Sequence, residues 1–180
     1  MSMRAIFVAL LLFGASPAAA YSGADPCTVV SANPGWRAAL AEAAERFRVP
    51  KGVIFAVLDQ ESSLNPNARG AGAQDASSTR NFGFAQANLQ TWNWFRREAR
   101  APEASRSDFR DSALFVGWYF AQTERMNGVP RQDAVRQYLA YKLGHGGFAR
   151  GAYTASQRAV AERLARRAEA AEARLAKCSS

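Results

Sequence analysis

Val53-Ile54-Phe55-Ala56-Val57-Leu58, followed by Glu61 and then Asn65-Pro66, constrains this chain more than any other stretch. A run with no polar face predicts a helix buried on most sides, around which the other elements must pack. Asn65-Pro66 stops it, because the residue before proline avoids helical geometry and proline lacks a donor. Glu61 therefore falls where a core helix runs out, half in apolar surroundings and half facing a loop. A carboxylate is costly to bury ionised, so such a site needs solvent, a partner or a proton. It is the kind of environment that turns a glutamate into a general acid.

The length, 180 residues, suits one compact domain with a full core and is short for two. Residues 1–20 read as an export signal: Arg4 supplies the charge, Ala5 to Phe13 the apolar run, and Ala18-Ala19-Ala20 the cleavage site. That run is too short to span a bilayer, and no later stretch qualifies, so no integral membrane segment is expected in the mature form. Ala24-Asp25-Pro26 lacks the small residues that a lipid-anchored Cys27 would want beside it. The expected location is periplasmic or secreted. There, the even pair Cys27 and Cys178 suggests one disulfide joining the chain ends, the alternative being two free thiols. Removing residues 1–20 takes one of 23 Lys and Arg and none of 15 Asp and Glu, leaving +7. A basic exported protein suits an anionic wall or membrane surface, and the signal argues against nucleic acid.

Along the chain, Asn33-Pro34 predicts an N-cap for a first helix carrying Trp36, Ala39, Leu40, Ala43 and Phe47. Leu64 to Asn81 reads as a polar loop and a candidate cleft wall. Asn88 is expected to cap a helix with Leu89, Trp92 and Phe95 inside. Ser107 is expected to cap another, from Asp108 to Met126, ended by Asn127-Gly128. Gln132 or Asp133 opens the next, with Val135, Tyr138, Leu139 and Leu143 inside and Gly144-His145-Gly146-Gly147 at its end. A long helix starts at Ser156, with Val160, Leu164, Ala168, Ala171, Leu175 and Cys178 as its stripe and Glu162–Arg166 on its wet face. No strand alternation or repeat emerges, so the fold class is mainly α.

Three motifs occur in one order: Glu61-Ser62, Gly83-Phe84-Ala85-Gln86, and Ala140-Tyr141-Lys142-Leu143-Gly144. Together they resemble the catalytic domain of soluble lytic transglycosylases, of the lysozyme-like (goose-type) superfamily, in a small exported subgroup. The likeness runs roughly from Trp36 to Tyr153. That family has a Glu-Ser pair ending a buried helix, a Gly-Leu-Met-Gln type motif and an Ala-Tyr-Asn-Ala-Gly type motif. Here Phe84 and Ala85 replace Leu and Met, and Lys142 and Leu143 replace Asn and Ala, which brings a cation to the cleft. The resemblance implies a single globular domain over residues 36–180, including the C-terminal helix, preceded by the signal at 1–20 and an N-terminal segment at 21–35 holding Cys27.

It further implies Glu61 as the catalytic residue, Gln86 as a ligand of sugar or backbone, and Tyr141 as the partner orienting the acid or an N-acetyl group. Ser62 either touches Glu61 or substrate, or caps locally. His145 is either a substrate contact or a bland loop histidine. As the only histidine it has no partners for a metal site, and no metal or cofactor is expected. Trp92 and Trp94, two apart, cannot share a helix face, so one is expected to be the more exposed.

Glycoside cleavage ordinarily takes two carboxylates. Asp59 points almost opposite to Glu61 on the same helix, Asp75 lies in the loop, and Asp108 and Asp111 suit a helix start. One acid suffices if the substrate supplies the nucleophile. The implied reaction cleaves the β-1,4 bond between N-acetylmuramic acid and N-acetylglucosamine of peptidoglycan and closes a 1,6-anhydro ring. The alternatives are a muramidase-type hydrolase of the same fold, using an acid such as Asp75, or a silent wall-binding protein. The expected partners are glycan strands and, possible beside them, secretion or cell-wall machinery.

Overall fold

The computed structural model describes residues 23–178, so the expected signal at residues 1–20 lies outside the described residues. Seven helices follow one another: α1 (Pro26–Ala32), α2 (Trp36–Phe47), α3 (Lys51–Ser62), α4 (Leu89–Glu98), α5 (Phe109–Asn127), α6 (Ala134–Ala149) and α7 (Ala155–Leu175). Among the described residues there is no strand, only isolated bridges pairing Phe82 with Arg69 and with Ala87.

The organising helix is α3. Every residue from Gly52 to Asp59 is buried, as its lack of a polar face predicts. It lies along α7 and also packs on α2 and α5, while α6 packs on α5 and α7. Gly52 permits the closest approach: a Cβ there would stand 2.3 Å from the Ala168 carbonyl oxygen. Glu172 of α7 accepts the Gly52 N–H at 2.5 Å, so an acid from another helix supplies the N-terminal cap that α3 lacks. One apolar cluster runs from Val30 to Leu175 and draws on all seven helices.

The Cys27–Cys178 disulfide closes the chain on itself, its Cα atoms 5.5 Å apart. Beside it Arg174 pairs with Asp25, the N-cap of α1. No helix among the described residues is long and apolar enough to cross a membrane.

Several boundaries differ from expectation. Residues 26–32 form a helix, and Asn33-Pro34 ends it rather than opening α2, which starts after Gly35 at φ 90°. Asp108, not Ser107, caps α5, accepting the Asp111 N–H at 2.9 Å. Helix α7 is capped by Thr154, which exchanges bonds with Gln157, one turn ahead of the Val160 stripe. The exposed pair on its wet face is Arg158–Glu162 at 3.0 Å rather than Glu162–Arg166. The glycine-rich stretch does not end α6. It kinks at Gly144 (φ 70°, ψ 157°) and resumes through His145 to Ala149.

Candidate active site

Helix α3 ends where Ser63 and Leu64 both take left-handed geometry, at φ 51° and 59°, ahead of Asn65-Pro66. Glu61 is thus in the last turn, and its side chain is only 5% exposed. Opposite stands α6, anchored by Asp133, whose side chain accepts the Arg136 N–H. Tyr138, Tyr141 and Lys142 lie at i, i+3 and i+4 along it and so share one face. The Tyr138 hydroxyl donates to Glu61 Oε1 at 2.6 Å and the Lys142 ammonium to Oε2 at 3.0 Å. Burial, and then the Glu61 charge, push the Tyr138 hydroxyl far up, which keeps it a neutral donor.

Tyr141, expected to orient the acid or an N-acetyl group, donates to the Ala85 carbonyl at 2.5 Å. The hydroxyl on the acid belongs to Tyr138, one turn earlier, because that position of α6 faces the end of α3. Tyr141 still lines the same cavity and ties the Gly83–Gln86 segment to α6.

The facing wall is the segment from Ala68 to Asn88. Gly83 (φ 77°) passes so close to the Arg106 carbonyl that a Cβ would stand 1.9 Å from its oxygen. Gln86, itself left-handed at φ 47°, donates through Nε2 to the carbonyls of Ala68 and Gly83 at 3.0 and 2.9 Å. Its amide nitrogen holds the loop, and the residue lines the cavity. Arg106, 3% exposed, reaches under the loop. Its guanidinium donates to the carbonyls of Ala76, Ser78, Arg80 and Ala87 at 2.5 to 2.9 Å. It also lies over the Phe82 ring, 5.5 Å from the centroid.

Between these walls is a cavity of about 290 Å³ lined by Glu61, Asn81, Gln86, Asn88, Tyr141 and Lys142, among others. Asn81 and Asn88 also line a wider one of about 760 Å³. On the other side Thr91, Tyr119 and Gly144 are shared with a third, of about 440 Å³, that includes Trp94 and His145. The result is a polar groove with Glu61 in its middle section and no other carboxylate among the residues lining the three.

The remaining candidates sit as follows. Ser62 is buried and donates to the Leu58 carbonyl at 2.9 Å, a bond within its own helix. His145 is buried, 3.0 Å from the Thr123 hydroxyl and stacked on Tyr119 at 4.5 Å. Burial pushes its pKa down. Trp92 is fully buried, while Trp94 borders the third cavity. Asp75 is exposed and accepts the Ser77 amide and hydroxyl at 2.8 and 2.6 Å, bonds that hold its pKa down. Among the described residues no cluster of three or more His, Cys, Asp or Glu is placed to hold a metal.

Sequence reasoning missed Tyr138 as a site residue and Arg106 altogether. Tyr138 carried a signal in its spacing from Tyr141 and Lys142. Arg106 carried none, since an isolated arginine in a loop ordinarily reads as solvated.

A helical domain of the lysozyme-like class, with a buried-helix glutamate at the floor of a polar groove, is what fold and site define. The sequence matches the transglycosylase SLT domain over residues 3–178, and the chain belongs to that family. Its function is accordingly of the lytic transglycosylase type, directed at peptidoglycan. Comparison with curated proteins and with solved structures gave no match.

Proposed function

We propose that this protein cleaves the β-1,4 bond between N-acetylmuramic acid and N-acetylglucosamine in periplasmic or extracellular peptidoglycan, leaving a 1,6-anhydro end. Glu61 donates a proton to the glycosidic oxygen, and the substrate's 2-acetamido oxygen stabilises the developing cation. The carboxylate then takes the proton from the C6 hydroxyl as that oxygen closes the ring. The supporting observation is that Glu61 is the one carboxylate among the residues lining the groove. A two-carboxylate hydrolase needs a second acid, and substrate assistance does not. Asp75, the nearest rival, is engaged by Ser77 in its own turn.

Tyr138 keeps one lobe of the carboxyl fixed, leaving Oε2, on the Lys142 side, as the oxygen that exchanges the proton. Gln86 and Tyr141 hold the facing segment, so the groove keeps its width. Mass spectrometry of products from purified sacculi tests the reading. Wild type is expected to release fragments one water lighter than reducing-end products, and Glu61→Gln, folded by circular dichroism, none. Reducing-end products would indicate a hydrolase, and wall binding without release a silent binder.

A further inference from the structure

Glu61 Oε2, the oxygen that must reach the glycosidic bond, is here covered by the Lys142 ammonium at 3.0 Å. Either Glu61 does not act as an acid, or something removes the lysine when substrate arrives. The two partners differ in the way such a removal requires. The Glu61 side chain is 5% exposed, whereas that of Lys142 is 45% exposed, on a flexible four-carbon stem. Lys142 is also the cation among the residues lining the central cavity.

Resting on the function proposed above, we propose that Lys142 is a substrate-displaced latch. Its ammonium covers Glu61 Oε2 in the free protein and passes to a carboxylate of the substrate, leaving Oε2 open to the glycosidic oxygen. The exchange works twice. It opens Oε2 to the glycosidic oxygen and gives the substrate a charge-assisted contact inside the groove. The other groups around Glu61 do not reproduce this. Tyr138 and Tyr141 of α6 and Tyr119 of α5 are neutral, each pushed up by burial. Arg167 of α7 is engaged with Gln60, Asp59 is buried almost opposite along α3, and α2 buries only Ala39, Leu40 and Ala43.

The substrate carboxylate has two sources. Glycan strands stripped of peptide expose the lactyl carboxylate of muramic acid. In peptide-bearing strands that group is an amide, and the stem supplies the carboxylates. Three ligands separate them: stripped strands, peptide-bearing strands, and a neutral N-acetylglucosamine oligomer.

For Lys142→Met the preference for a carboxylate-bearing strand over the neutral oligomer, as a ratio of dissociation constants, is expected to fall roughly tenfold or more. Lys142→Arg should keep most of the preference. Loss with stripped strands assigns the lactyl group, and loss confined to peptide-bearing strands assigns the stem. A folded Lys142→Met with the preference unmoved would overturn the latch, as would an equal loss of binding to all three ligands. Lys142→Gln serves if the methionine variant is not folded by near-ultraviolet circular dichroism. Wild-type release of anhydro products stands apart from these outcomes, so the latch can fail while the proposed function holds.

Discussion

Arg106→Met separates the groove wall from the helical core. The substitution keeps a long apolar stem under the Phe82 ring and removes the charge that four carbonyls share. A hydrogen bond to a charged group contributes about 1.5–3 kcal/mol, so four would overstate the loss if simply added. Three considerations reduce it. Ala76 and Arg80 are exposed and Ser78 half-buried, so their carbonyls can turn to water. The Ala87 carbonyl still accepts the Phe82 N–H at 3.3 Å. The guanidinium also no longer has to be desolvated. A net loss of about 2–4 kcal/mol is expected, measured as a lower urea midpoint with an unchanged slope. Amide exchange should localise it: Ser78 and Leu89, whose N–H groups bond Asp75 and Thr79, should lose protection while α3 and α5 keep theirs. Arg106→Lys should recover under half the loss, because an ammonium presents three donors without the planar fork. A loss below about 1 kcal/mol with both amides still protected would refute the view that one guanidinium holds this wall.

Reducing the Cys27–Cys178 bond, or Cys27→Ser with Cys178→Ser, opens a closure across 151 residues. By chain entropy this should lower stability by up to about 5 kcal/mol, and equal urea midpoints for oxidised and reduced protein would contradict it. His145 titrates below its usual range because it is buried, so the unfolded chain takes up its proton first. Its contribution is intact above about pH 6.5 and is lost as pH falls from there through the lower folded value. Melting temperatures of wild type and His145→Gln should converge on acidification through that window, and a constant gap would contradict it.

What one sequence could settle here was local. The unbroken apolar face of Val53–Leu58 required a surrounded helix, and Asn65-Pro66 required it to stop just past Glu61. Asn88 and Gly128 capped α4 and α5 where their chemistry places them. The cap of α2 was misread because Asn33-Pro34 serves equally well to end a helix, and the short α1 had no apolar period long enough to register. The partners of Glu61 belong to another order of information. Tyr138 and Lys142 stand 77 and 81 residues away in the chain. Which hydroxyl on α6 meets the acid depends on the rotation and height of one helix against another, set by packing such as Gly52 on α7. Arg106 shows the same limit: its surroundings, four carbonyls gathered from 76 to 87, exist only once the loop has closed over it. Periodicity and capping act between neighbours in sequence and can be read residue by residue. Hydrogen bonds across the fold depend on distances that only the packed core creates.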